Sequence, residues 1–210
     1  MNMRKPYRFI FLVAVFGLAG CSLPGARTQP ISHYVLEAPT ANATTNAPLS
    51  TAKRPVLLLR DAEPGGLSQS LRLVYSRSPG TQAQYQYARW SEAPPKRLHT
   101  LLRQRLLASG LYAGVLPLGA GVQGDYQLNF RLLDFFHNAV QTPGYAHVVM
   151  EVELLRRDTA RLVAQQTFTA DVPLASQDAA AAAKSLGQAS GQVLDAVIAW
   201  LARVQPVDAR

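Results

Sequence analysis

Side chains that carry chemistry are scarce in this chain. One cysteine, Cys21, stands among 210 residues, so no internal disulfide can form and no Cys-X-X-Cys redox or zinc motif exists. The four histidines, His33, His99, His137 and His147, are scattered. No two lie three or four residues apart with a carboxylate between them, as a helical metal box requires. No Gly-X-Ser-X-Gly elbow is present, and the one Ser-X-X-Lys spacing, Ser50 to Lys53, falls in the polar loop from Pro39 to Lys53. Gly114 to Gly124 is glycine-rich, but it lacks a P-loop lysine and leads into a strand pattern, so it reads as a loop and not as a nucleotide cradle. Asp134 and His137 bracket two phenylalanines. They read as the polar end of a strand and not as a catalytic pair, because neighbours in a strand face opposite ways. Enzymatic chemistry is therefore not expected, and neither is a metal or a diffusible cofactor.

Long apolar runs are missing too. A membrane-spanning helix needs roughly 20 apolar residues, whereas Phe9 to Leu18 is much shorter and follows the basic Arg4, Lys5 and Arg8. Those are the proportions of a secretory signal peptide. It ends in Leu18-Ala19-Gly20-Cys21, the pattern of a bacterial lipobox. Small residues admit the cleavage site to a peptidase, and the Cys21 thiol takes up a diacylglyceryl group. Residues 1–20 are thus expected to be removed, leaving an N-acyl diglyceride with palmitate-type chains on Cys21. Three chains exceed the two signals that stable anchoring takes, at about 0.8 kcal/mol per buried methylene. Ser22, where an aspartate would favour the inner membrane, directs the expectation to the periplasmic face of the outer membrane.

The chain carries 21 Lys+Arg against 13 Asp+Glu, a formal +8 that falls to about +5 once the leader's basic residues are discounted. A mild basic excess suits anionic head groups or an acidic partner. Nucleic acid is not expected, because no RNP strand, zinc-finger spacing or basic heptad helix occurs.

The order of elements follows from periodicity. Residues 21–53 read as the lipidated cysteine, a tether, a short strand at Ser32–Leu36 and a polar loop from Pro39 to Lys53. Residues 54–205 read as a single domain of ordinary size. Val56–Leu59 is a continuous apolar strand. Leu71–Tyr75 and Tyr85–Trp90 make a hairpin around Ser78-Pro79-Gly80. Pro94 or Pro95 opens a helix with a stripe at Leu98, Leu101, Leu102 and Leu106, and Gly110 closes it. Strands with period-two alternation begin at Tyr126, Ala146 and Leu162 and form a meander. A last helix, from about Asp178 to Val204, carries a stripe at Ala182, Leu186, Ala189, Val193, Val197, Leu201 and Val204. Gly187 and Gly191 inside it, each costing about 1 kcal/mol against alanine, suggest a close approach to the sheet. The fold class expected is α+β: a mostly antiparallel sheet with two helices on one face.

Trp90, in Ala88-Arg89-Trp90-Ser91-Glu92-Ala93-Pro94, admits two readings. It plugs the corner between a strand and the new helix, or, with Tyr87 and Arg89, it forms a partner interface. Several separated stretches, namely Tyr34-Val35-Leu36, Val56–Leu59, Arg72–Tyr75, Tyr85–Trp90 before Pro94, Phe168 and Trp200-Leu201, together resemble the ABC-type transport auxiliary lipoproteins. That family includes the paraquat-inducible protein C-like lipoproteins. The resemblance implies a TolB amino-terminal-domain-like α+β fold hung from the outer membrane. It also implies a non-enzymatic docking role beside an MCE-type lipid transport system. The implied partners are an MCE-domain protein, its permease and ATPase indirectly, the outer membrane, and further copies of the chain in a homo-oligomer. The alternative is a structural lipoprotein that assists another envelope complex, a secretin or an outer-membrane barrel.

Overall fold

The structure, a computed structural model, describes residues 29–39, 54–60 and 69–204. Cys21 with its lipobox, Gly65-Gly66 and the expected loop beyond Pro39 lie outside the described residues. The elements run β1 (Ser32–Tyr34), β2 (Val56–Leu59), β3 (Arg72–Ser76), β4 (Ala83–Trp90), α1 (Pro94–Ala108), β5 (Gly114–Pro117), β6 (Tyr126–Asn138), β7 (Tyr145–Arg156), β8 (Arg161–Pro173) and α2 (Ala179–Val204).

Alternation sets the faces of the long meander. Leu128 and Phe130 on β6, Val148, Met150, Val152 and Leu154 on β7, and Phe168, Ala170 and Val172 on β8 all enter one core. Both helices supply its other wall. Leu98, Leu102 and Leu106 of α1 are fully buried, as are Ala182, Leu186, Ala189, Val197 and Leu201 of α2. Pro94 and Pro95 occupy the first turn of α1, where a missing N–H costs nothing. Gly110, at φ +66°, follows the last turn, a left-handed position that suits glycine. Asp178 caps α2 by accepting the Ala181 N–H at 2.8 Å. Hydrogen bonds from Ser176 and Ala181 hold its carboxyl below the usual range.

The sheet corrects the expectation of mostly antiparallel pairing. It is mixed and curled around β6. Along one edge β6 pairs antiparallel with β7, which pairs antiparallel with β8. Its other edge takes β2 in parallel at Tyr126–Leu128 and β3 in parallel at His137–Asn138. β1 pairs parallel with β4, and β2 with β5. The hairpins were visible because their turns are local. The parallel pairs join strands far apart in the chain, and no turn residue announces them. A bulge at Leu133, between Leu132 and Asp134, bends β6 and helps the sheet curl.

Two further expectations are corrected. The glycine-rich segment is not all loop, since Gly114–Pro117 forms β5 against β2. Gly187 and Gly191 face a strap of extended chain, Val35–Pro39, and not the sheet. A Cβ at Gly187 would collide with the Glu37 carbonyl oxygen, and one at Gly191 would lie 2.7 Å from that of Pro39.

Candidate functional site

The residues singled out in the sequence gather at the corner where β1, β4, α1 and the strap meet, yet they do different things. Trp90 is 1% exposed. Its ring tilts against Phe135 at 5.8 Å between centroids, and its backbone N–H donates to the Leu71 carbonyl at 2.6 Å. It offers no surface to a partner, so the corner-plug reading stands for Trp90 and the anchor reading is withdrawn for that residue. Arg89 folds back along its own strand, donating to the carbonyls of Tyr85 at 2.8 Å and Ala88 at 2.7 Å. This braces the stretch where the β3–β4 register slips. Tyr87 alone of the three is exposed, at 41%.

Behind Trp90 the strap crosses both helices, and two arginines hold it by its carbonyls. Arg97 Nε donates to Leu36 O at 3.1 Å. Arg105 Nη2 donates to Ala38 O at 3.0 Å and Pro39 O at 2.7 Å. The other arm of Arg105 donates to Gly191 O at 2.8 Å and pairs with Asp195. Burial lowers the Arg105 pKa from its ordinary value, and the Asp195 charge opposes that. A buried charge is tolerated when it is paired and hydrogen-bonded, and Arg105 is both. The small Gly187 and Gly191 let the strap backbone settle on α2. Sequence reading passed over Arg105, although it stands three residues from Leu102 and seven from Leu98. That spacing puts it on the buried stripe, and an arginine there signals an acceptor waiting inside.

A second buried polar pair lies near β4. His137 is fully buried. Its Nε2 lies 2.8 Å from the Pro143 carbonyl and its Nδ1 2.7 Å from the Tyr85 hydroxyl. A carbonyl only accepts, so the proton sits on Nε2, and Nδ1 accepts from Tyr85. Burial lowers the His137 pKa. Burial, then the charge of Asp178, pushes Tyr85 up to about 12. Both groups are neutral near pH 7. The expectation of a merely polar strand end is corrected: His137 is interior and paired, and Asp134 lies elsewhere. On the helix-free face His147 bonds Asp171 at 2.6 Å, with Asp134 at 4.0 Å on its other side. Arg131 pairs there with Glu151, which also accepts from Gln165 at 2.8 Å.

These arrangements hold chain segments and fill polar valences inside the fold. Among the described residues no group of three or more His, Cys, Asp or Glu side chains is placed to hold a metal ion. No described helix is long and apolar enough to cross a membrane.

Comparison with known proteins fits this picture. A crystal structure of a Xanthomonas campestris protein, of the family model DUF330, superposes with a TM-score of 0.70 at 23% identity, covering 82% of this chain and 96% of that one. An uncharacterized protein superposes with a TM-score of 0.62 at 14% identity, covering 82% of this chain and 99% of its own. At these identities the likeness establishes the fold. No curated protein matches. The sequence model described as the ABC-type transport auxiliary lipoprotein component matches residues 34–198, a span from β1 well into α2 that includes the strap, the Trp90 corner and both arginines. The chain belongs to the ABC-type transport auxiliary lipoprotein family.

Proposed function

We propose that the protein is a lipid-anchored docking component of an MCE-type ABC lipid transport system, held on the periplasmic face of the outer membrane. In this reading residues 1–20 are a cleaved leader, Cys21 carries the N-acyl diglyceride, and the domain receives the periplasmic end of an MCE-domain protein. The inner-membrane permease and ATPase supply the energy, and the auxiliary domain works without catalysis. Further copies of the chain join it in a homo-oligomer. The family match over residues 34–198 carries the proposal, and Leu18-Ala19-Gly20-Cys21 supports the anchor. A net basic balance suits a surface working beside anionic lipid.

Affinity purification of the lipidated protein from detergent-solubilised envelopes tests this directly. The expected result is co-purification of an MCE-domain protein together with its permease and ATPase. Recovery of a secretin or an outer-membrane barrel without any MCE-domain protein would overturn it. Mass analysis of the mature amino terminus checks the anchor, and Cys21→Ser is expected to release the protein from the membrane fraction.

A further inference from the structure

We propose that the groove between β1, β4 and the first turn of α2 faces the membrane, and that its occupant is the interfacial zone of the bilayer holding the anchor. This rests on the reading of Cys21 as the lipidated residue. The groove, of about 340 Å³, is lined by Tyr34 of β1, Tyr85 and Tyr87 of β4, the capping Asp178, and Ala179 and Ala180 of α2. β1 is the outermost strand of its wing of the sheet. Tyr87 in the groove is 41% exposed, and Ile31, one residue before the lining Ser32, is 50% exposed. Single exposed apolar residues are ordinary. Tyr87, the exposed one of the three tyrosines on the groove, and the exposed Ile31 at the sheet edge form a patch, with Tyr34 and the His137-bound Tyr85 as its partly buried floor. A tyrosine pairs an apolar ring with a hydroxyl, which suits it to the boundary between acyl chains and water.

The path of the chain commits this patch to a bilayer. About ten residues lie between Cys21 and Ile31, and they reach at most about 35 Å when fully extended. The tether enters the fold at Ile31, next to the groove, so this surface is leashed most closely to the anchor. The opposite end of the long strands is far away. β8 has 13 residues, so its start near Leu162 lies roughly 40 Å along the strand from its end at Pro173. From Pro173 a short connection leads to α2, whose first turn lines the groove. A small patch binds weakly by itself. A short tether raises its effective concentration to about the millimolar range, so contact is expected only in the lipidated protein.

Because Cys21 is the one cysteine and is consumed by acylation, an introduced cysteine becomes the only free thiol. The full lipidated protein carrying Ile31→Cys, Tyr87→Cys or Leu162→Cys is spin-labelled. It is then reconstituted in vesicles of phosphatidylethanolamine and phosphatidylglycerol. Collision rates with oxygen and with a water-soluble nickel chelate give the depth of each label. The ratio of oxygen to nickel accessibility is expected to be severalfold higher at positions 31 and 87 than at 162. Water-like ratios at 31 and 87 on protein that floats with the vesicles overturn the proposal while leaving the anchor intact. So do labels that become shielded only when the co-purifying transport proteins are added, since a protein then covers the groove. Protein that neither floats nor carries acyl groups on Cys21 overturns the anchor and this inference together.

Discussion

Replacing Gly187 with alanine sets two effects of opposite sign against each other. On a bare helix surface the change stabilises by about 1 kcal/mol, because glycine is the poorer helix former. Here the new methyl lands on the Glu37 carbonyl oxygen, a backbone atom that cannot swing aside like the end of a side chain. If the strap stays seated, overpacking costs about 1–3 kcal/mol. If it lifts, Leu36, which is 1% exposed, loses about 2 kcal/mol of burial. The charge-assisted bonds from Arg97 and Arg105 then lose about 1.5 kcal/mol or more each. The molecule takes the cheaper route, and with the helix gain subtracted a net loss of up to about 2 kcal/mol is expected. Urea denaturation of the domain, followed by tryptophan fluorescence, measures it. Limited proteolysis near Pro39 reports whether the strap has lifted. A Gly187→Ala protein about 1 kcal/mol more stable than the parent would refute the reasoning and show that the strap does not lie on α2.

Other expectations follow from the same packing. Trp90→Ala is expected to cost about 3–5 kcal/mol, the range for deleting a buried aromatic; an unchanged melting curve would refute its role as the plug of the corner. Arg105→Ala removes the donor to Ala38, Pro39 and Gly191 and leaves Asp195 without that partner, a loss of about 3–5 kcal/mol in chemical denaturation. Tyr85→Phe orphans His137 Nδ1 and is expected to cost about 1–3 kcal/mol in the same assay. His137 makes stability depend on pH. Its folded pKa is lowered, so the unfolded chain binds the proton first as pH falls through about 6.5. Stability is therefore present above that value and lost below it, down to the folded pKa, at up to about 1.4 kcal/mol per pH unit. Denaturation midpoints between pH 7.5 and 5.5 are expected to drop in the parent, and His137→Gln is expected to flatten that slope; equal slopes would refute the assignment.

What the sequence revealed and what it hid divide along a physical line. Local signals were legible: Pro94 and Gly110 bracket α1, Asp178 starts α2, and alternation marks β6, β7 and the second half of β8. Leu162 also fits the alternation but is 57% exposed, because a register shift opposite Leu154 and Leu155 breaks the alternation there and Val163 and Ala164 pack on the core instead. Long-range pairing was not legible. The β2–β6 and β3–β6 ladders depend on crossovers that leave no local trace. At the site, burial of Trp90 was anticipated from its size and place at a turn. The strap was not, because its contacts use backbone carbonyls, which every residue has. Only the partner side chains could have pointed to it: an arginine on a leucine stripe, and two glycines four residues apart on a helix that alanine would otherwise favour.

The direction of β1 has a mechanical consequence. Tension reaching the fold from its N-terminal side enters at Ile31. β1 lies parallel to β4 in the register Ser32–Ala88, His33–Arg89 and Tyr34–Trp90. A pull along β1 therefore loads that short ladder in shear, with its hydrogen bonds sharing the force and not opening one after another like a zipper. Whatever passes the ladder meets the guanidinium of Arg105, which grips the strap on one side and α2 on the other. A pull entering at Ile31 is therefore met first by that ladder and then by the Arg105 grip on the strap.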